Sequence, residues 1–168
     1  LVGCGGFIDI SQQSKKVVFA GTFAAGGLKV AVEAGRLSIL QEGKHPKFVA
    51  ALDEITFSGR LASEEEREVL YVTERCVFRL GARGLELAEV APGIDIERDI
   101  LARLPFPLAV GQVRPMEPAI FRPEPMGLRA RLLDIGIEDR ISYSADTNTI
   151  FLNYAGMHVR TEEDLARI

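Results

Sequence analysis

Glycine is concentrated where this chain is best suited to hold a reactive ligand. In Gly3-Cys-Gly-Gly-Phe-Ile-Asp9, positions 3, 5 and 6 are glycine. Without Cβ atoms the backbone can come close to a bound group, and exposed N–H groups in such a loop can stabilise an anion or a developing oxyanion. The same residues could equally form a plain tight turn. A second segment, Thr22-Phe-Ala-Ala-Gly-Gly27, offers similar close approach, against the alternative of a simple loop between strands. Asp9 follows a loop and precedes a polar turn, which suits a structural cap better than an acid or base. Lys15 and Lys16 could attract phosphates, but lysines that open a strand are usually solvated, and that reading is preferred.

Other chemically tempting residues resolve into structural roles. Glu74 and Arg75 are neighbours in sequence, but on a strand adjacent side chains point to opposite faces. They are therefore expected to form separate structural salt bridges and not to address one substrate together. His45 and His158 stand isolated from any Cys, Asp or Glu at ligand spacing, which predicts surface histidines and no metal site. Cys4 and Cys76 are too few and too far apart for a disulfide framework, as expected in a reducing, cytoplasmic compartment. Walker, dinucleotide and zinc signatures are missing from the sequence.

The elements that must position these segments are mostly strands. Lys15–Gly21 is a short apolar run of buried-strand length. Leu28, Val30 and Val32 alternate with Lys29, Ala31 and Glu33, and Ala34-Gly35 predicts a hairpin turn into Leu37–Leu40. A further strand is predicted over Glu54–Ser58. The charge run Ala62–Glu68 reads as a solvated loop or single helical turn. Strands follow at Val69–Thr73, Cys76–Leu80 and Leu85–Val90. Asp95 is placed to cap a helix whose apolar face is Ile96, Ile100 and Leu104. Six prolines between Pro105 and Pro125 argue against a helix or central strand and predict a linker or extended strap. Beyond it, Leu128, Leu132 and Ile135 mark a helix, Thr149–Tyr154 a strand, and Thr161 the cap of a last helix. That helix runs to Ile168 without a stop signal, so the chain is expected to continue.

Composition narrows the partners. Of 168 residues, 47% are hydrophobic and 26% charged, as in a globular domain able to bury a core. A net charge of -4 argues against nucleic acid, which needs a basic face. The apolar runs all fall short of the roughly 20 residues of a membrane span, and nothing reads as a signal peptide.

Several segments, in order, resemble class I CoA-transferases, enzymes that move coenzyme A from an acyl-CoA to a free carboxylate. They are Gly5-Gly-Phe-Ile-Asp9 followed by Lys15-Lys16 and Val17–Ala20, then Thr22–Gly27, Val69–Leu80 and Gly84–Ile100. The resemblance runs from about Gly3 to Leu104 and is nearest to the single-chain acetate/3-ketoacid, propionate-type transferases. It implies an α/β fold: residues 1–104 as the C-terminal, strand-rich part of the catalytic domain, 105–125 as a proline-rich linker, and 126–168 as the start of a small α/β module. It also implies an oxyanion and CoA-binding wall built from Gly3, Gly5, Gly6, Phe7, Thr22 and Gly26. The family's nucleophilic glutamate lies upstream of the Gly-Gly-Phe segment, so the resemblance implies no catalytic residue within this chain and a fragment inactive alone. Coenzyme A is then substrate, with no permanently bound cofactor. The implied partners are acyl-CoA, a short-chain carboxylate, the remainder of the parent chain and further copies in a homo-oligomer. A hydrolase or isomerase on the same scaffold, and a non-catalytic binding or assembly module, remain alternatives.

Overall fold

The computed structural model describes residues 5–133 and 137–154, with Thr161. The chain divides into two compact units, Leu1–Pro123 and Glu124–Ile168. In chain order the first contains α1 (Phe7–Gln13), β1 (Lys16–Ala20), β2 (Ala24–Ala25), β3 (Lys29–Glu33), β4 (Arg36–Gln41) and β5 (His45–Pro46). These are followed by α2 (Gly59–Glu64), β6 (Glu68–Val72), β7 (Cys76–Gly81), β8 (Gly84–Val90), α3 (Ile96–Asp99) and β9 (Ala109–Pro115). Short 3-10 turns occupy Leu101–Arg103 and Pro118–Phe121.

The centre is a five-stranded mixed sheet in the order β1-β6-β7-β8-β9. Its inner pairs are antiparallel, while β1 runs parallel to β6 and β8 parallel to β9. The mixed α/β class expected from the sequence is therefore present. β7 is the most deeply buried strand because its apolar residues serve both faces. Cys76 and Phe78 join one core cluster with Phe23, Leu87 and Ile100, whereas Val77 joins another with Leu37, Ala91, Met116 and Phe121. The period-two alternation of a strand makes that division obligatory. Removing the buried Phe78 ring would cost about 3–5 kcal/mol on the scale of large-to-small core changes.

The expected hairpin forms as β3 paired with β4. Its turn, Ala34-Gly35, has φ of 49° and 74°, the left-handed pair that matches strand twist. Three expectations need correction. Glu54–Ser58 is not a strand: Ser58 caps α2 by accepting from the Leu61 N–H at 3.2 Å, and Ile55 is 75% exposed. A side chain that caps a helix draws the backbone out of a ladder. Residues 7–13 form a helix and not a continuing loop, so Asp9 lies exposed in its first turn and is no cap. The helix after Asp95 is shorter than its apolar spacing predicts. Asp95 does cap it, accepting from Arg98 N–H at 2.8 Å, but Ile100 at φ -124°, ψ -69° ends it. Ile96, Ile100 and Leu104 still share the core across that break.

The proline-rich stretch contains extended β9, an edge strand beside β8, and a turn that buries Ala119 and Phe121. At the edge, missing proline N–H groups leave no central ladder bond unmade. The second unit holds α4 (Leu128–Leu133), α5 (Ile137–Arg140) and a hairpin of β10 (Ile141–Ser144) with β11 (Thr149–Leu152). Ile135, His158 and the helix expected after Thr161 lie outside the described residues.

Candidate functional site

β1 and β6 end side by side, at Ala20 and Val72 in the parallel register. The chain leaves this edge through Gly21-Thr22 and through Thr73, and between them opens a cleft of about 350 Å³. Crevices beyond the carboxyl ends of parallel strands are a recurrent place for ligands, since diverging loops leave space there. Phe19, Phe48, Tyr71 and Phe106 make the apolar walls. Phe19 and Tyr71 are stacked, with centroids 5.0 Å apart and planes 19° apart, because they are directly paired across the two strands. Phe7, at the start of α1, packs on Phe19 at 6.1 Å. Arg67 helps to hold that helix by donating from its guanidinium to the Gln12 carbonyl.

The polar side chains of the cleft are few. Thr22 Oγ1 accepts from Lys47 Nζ at 3.0 Å, both residues being exposed. Thr73 is buried and donates to the Cys76 carbonyl at 2.8 Å, which commits it to the β6–β7 turn. Among the described residues the lining contains no carboxylate.

Beneath the Thr22 segment lies a charged clasp. Arg75 is fully buried and grips Glu42 with two nitrogens, at 2.8 and 3.1 Å, while its Nε donates to Glu74 at 2.7 Å. It also donates to the Asp99 carbonyl at 3.0 Å, and its carbon sits 4.5 Å from the Phe23 ring centroid. Glu74 completes the clasp by accepting from the Phe23 N–H at 2.7 Å. The Arg75 hydrogen bond holds the Glu42 carboxyl below its ordinary pKa, against the opposing effect of burial. Hydrogen bonds from Arg98 do the same for Asp99. Burial pushes the Cys76 thiol up to about 12, so it is a protonated core group and not a nucleophile. The structural reading of Glu74 and Arg75 holds, but they are partners of each other. They lie in the turn between β6 and β7, where strand alternation does not apply.

Of the residues expected in an oxyanion and CoA-binding wall, Thr22 borders this cleft and Phe7 packs behind Phe19. Gly5 and Gly6 lead into α1 immediately before Phe7, with Gly5 at φ 53°. Gly26 is at φ 79°, and a Cβ there would fall 2.6 Å from the His45 ring. The β2–β5 contact thus accounts for that glycine by itself. Gly3 lies outside the described residues. Lys15 is exposed, and Lys16 pairs with Glu68 at 2.8 Å on the surface, in keeping with solvated lysines. His45 is exposed. Sequence reasoning missed Lys47, Phe48 and Phe106, because the segments carrying them are irregular and meet only through the fold.

No family model matches the chain. Individual relatives do. It is 47% identical over 128 residues to the acetate CoA-transferase YdiF of Escherichia coli, a match covering 76% of this chain and 24% of that protein. It is 43% identical over 122 residues to the caffeate CoA-transferase of Acetobacterium woodii, covering 72% and 23% respectively. The crystal structure of the Escherichia coli acyl-CoA transferase YdiF apoenzyme superposes with a TM-score of 0.71 over 74% of this chain and 24% of that chain, at 47% identity. The same enzyme's thioester complex with CoA matches with the same score and identity, over 74% of this chain and 25% of that one. The chain spans about a quarter of the length of the curated relatives it matches. Sequence and fold agree over the same three quarters of its residues, and on that ground the chain belongs to the class I CoA-transferases.

Proposed function

We propose that this chain is part of an enzyme that transfers coenzyme A from an acyl-CoA to a carboxylate through a glutamyl-CoA thioester. In this reading the glutamate carboxylate is supplied by sequence outside these 168 residues. It attacks the acyl-CoA to give an acyl-glutamyl anhydride and CoA thiolate. The thiolate attacks the glutamyl carbonyl and expels the donor carboxylate, and the acceptor carboxylate then reverses the exchange to leave as its CoA thioester and free the glutamate. Dividing one hard transfer into easier steps is the gain of nucleophilic catalysis. In the same reading Gly5 and Gly6 sit beside the CoA thioester, with backbone N–H groups available to its carbonyl oxygen, and Gly3, Phe7, Thr22 and Gly26 complete the expected oxyanion and CoA-binding set.

The observation that carries the reading is the 47% identity to a CoA-transferase whose solved structures include a thioester complex with CoA. The acids in the relatives' names, acetate and caffeate, support a small organic acid as substrate. In the same reading residues 1–104 are transferase, 105–125 a proline-rich strap and 126–168 the start of a small α/β module. The enzyme is a cytoplasmic homo-oligomer acting in short-chain acid or ketone-body metabolism. Among the described residues no helix is long and apolar enough to cross a membrane.

Intact-mass spectrometry after incubation with acetyl-CoA or propionyl-CoA, with no acceptor added, tests the mechanism. The expected result is a CoA adduct on a longer protein containing this segment and none on this chain. An adduct on this chain would place the nucleophile within it. With no adduct on either, a non-catalytic binding module becomes the better account. An adduct that discharges to water and ignores added carboxylate would instead identify a hydrolase.

A further inference from the structure

Transfer to a carboxylate requires somewhere to seat the acceptor, and the cleft beside Thr22 has a definite chemical character. Its walls are aromatic, with Val49 and Leu52 at the mouth, 39% and 64% exposed. Apolar side chains left open beside a formed cavity gain by covering, at roughly 25 cal/mol per Å² removed from water. The volume of about 350 Å³ lies at the small end of the roughly 300–1,000 Å³ typical of small-molecule sites. Among the described residues, the cleft's one charged lining side chain is Lys47. Among the described residues, its hydrogen bond to Thr22 Oγ1 is accompanied by no ion pair to a carboxylate.

Resting on the CoA-transfer reading above, we propose that this cleft seats the hydrophobic body of the acceptor acid, an aryl or branched acyl group, with its carboxylate held by Lys47 at the rim. Acetate would satisfy the ammonium but leave the aromatic walls in water. A neutral molecule of the same shape would cover the walls but leave the cation without an anion. An amphiphilic acid does both. The stacked Phe19–Tyr71 pair offers a flat face suited to an aromatic ring, for which offset stacking adds to simple burial. The pantetheine arm of CoA is the rival occupant, since it too is largely apolar and flexible.

Isothermal titration of a longer protein that contains this segment with phenylpropanoate, phenylpropanamide, acetate and desulfo-CoA separates the possibilities. Phenylpropanoate is expected to bind about tenfold or more tightly than either acetate or the amide, a difference of about 1.4 kcal/mol. Lys47→Met should abolish the preference for acid over amide, and Lys47→Arg should retain it. Val49→Asp, at an exposed position of the mouth, should weaken the acid about tenfold while leaving the far-ultraviolet spectrum and melting midpoint unchanged. Equal binding of acid and amide overturns the proposal. So does displacement of phenylpropanoate by desulfo-CoA, which would give the cleft to pantetheine and leave the CoA-transfer reading standing. Binding of desulfo-CoA without any binding of the acid likewise removes the acceptor assignment alone. If neither binds, both readings fall together.

Discussion

The Arg75 clasp and the Thr22 cleft meet at one stretch of chain, Thr22-Phe23, and use charge in opposite ways. In the clasp, a guanidinium with no exposed surface faces two carboxylates and a carbonyl, and the Glu74 carboxylate is also tied to the Phe23 backbone. A fully desolvated cation is tolerable only when its donors are answered in this way. In the cleft, one exposed ammonium faces aromatic walls and a single hydroxyl. Saturated charge identifies architecture, whereas charge left open beside apolar surface identifies a place for a ligand. Shifted titratable groups fall on both sides of this contrast: Glu42, Asp99 and Cys76 lie outside the proposed ligand site, whereas Tyr71, raised by burial, lines it. Perturbation follows burial and pairing as readily as it follows function.

The largest effect that would test this contrast is Arg75→Ala. It should cost about 3–5 kcal/mol, the scale for removing one partner of a desolvated ion pair and leaving two partly buried carboxylates without their donor, read as a lower urea midpoint at unchanged slope. Arg75→Lys should recover little, because a point charge cannot reproduce the two-nitrogen grip on Glu42. A loss below about 1 kcal/mol would mean that the clasp behaves as a surface pair and that the contrast is false.

Next comes acid sensitivity. Glu42 and Asp99 have folded-state pKa values below their ordinary ones, so the folded state binds fewer protons than the unfolded state as the pH drops. Their stabilisation is complete above the unfolded carboxylate range, at about pH 5 and higher, and is lost as the pH falls through the lowered folded values. Urea midpoints measured down this range should decline, and Glu42→Gln should flatten the decline. A slope equal to that of the parent would remove Glu42 from the account.

Thr22→Val acts on the cleft side of the comparison. Stability should change by no more than about 0.5 kcal/mol, as for other exposed positions, while the preference for phenylpropanoate over its amide weakens severalfold because Lys47 loses its positioning contact. Equal discrimination in parent and variant would make that contact incidental. Smallest of all is Lys16→Ala, which removes an exposed pair with Glu68. It should cost under about 1 kcal/mol and diminish further in salt, and a larger loss by thermal melting would show that exposure is a poor guide here.

Much of the fold was legible in local pattern. The β3–β4 hairpin follows from alternation on both sides of Ala34-Gly35 and from the positive φ that its turn demands. The Asp95 cap follows from a carboxylate set ahead of free backbone N–H groups. Other elements were misread where a short-range contact outweighed composition. Ser58 turned an apparent strand into a helix entry, and a seven-residue helix occupies what glycine content suggested was loop. The candidate site was legible only in part. Thr22 stood out through its neighbouring glycines, but the Lys47 and Phe106 that share its cleft are 25 and 84 residues further along and carry no local signal.

By itself the sequence determined the β3–β4 hairpin, the run of strands from Val69 to Val90, the Asp95 cap and the family resemblance, because each rests on periodicity or on motifs contained in short windows. Tertiary structure alone decided that Glu42, Glu74 and Arg75 would neutralise one another, and that Lys47 would stand beside aromatic rings with the Thr22 hydroxyl as its hydrogen-bond partner. Side chains far apart in the chain acquire their dielectric surroundings and their partners only when the sheet brings them together, and those two quantities separate a structural charge from one available to a ligand.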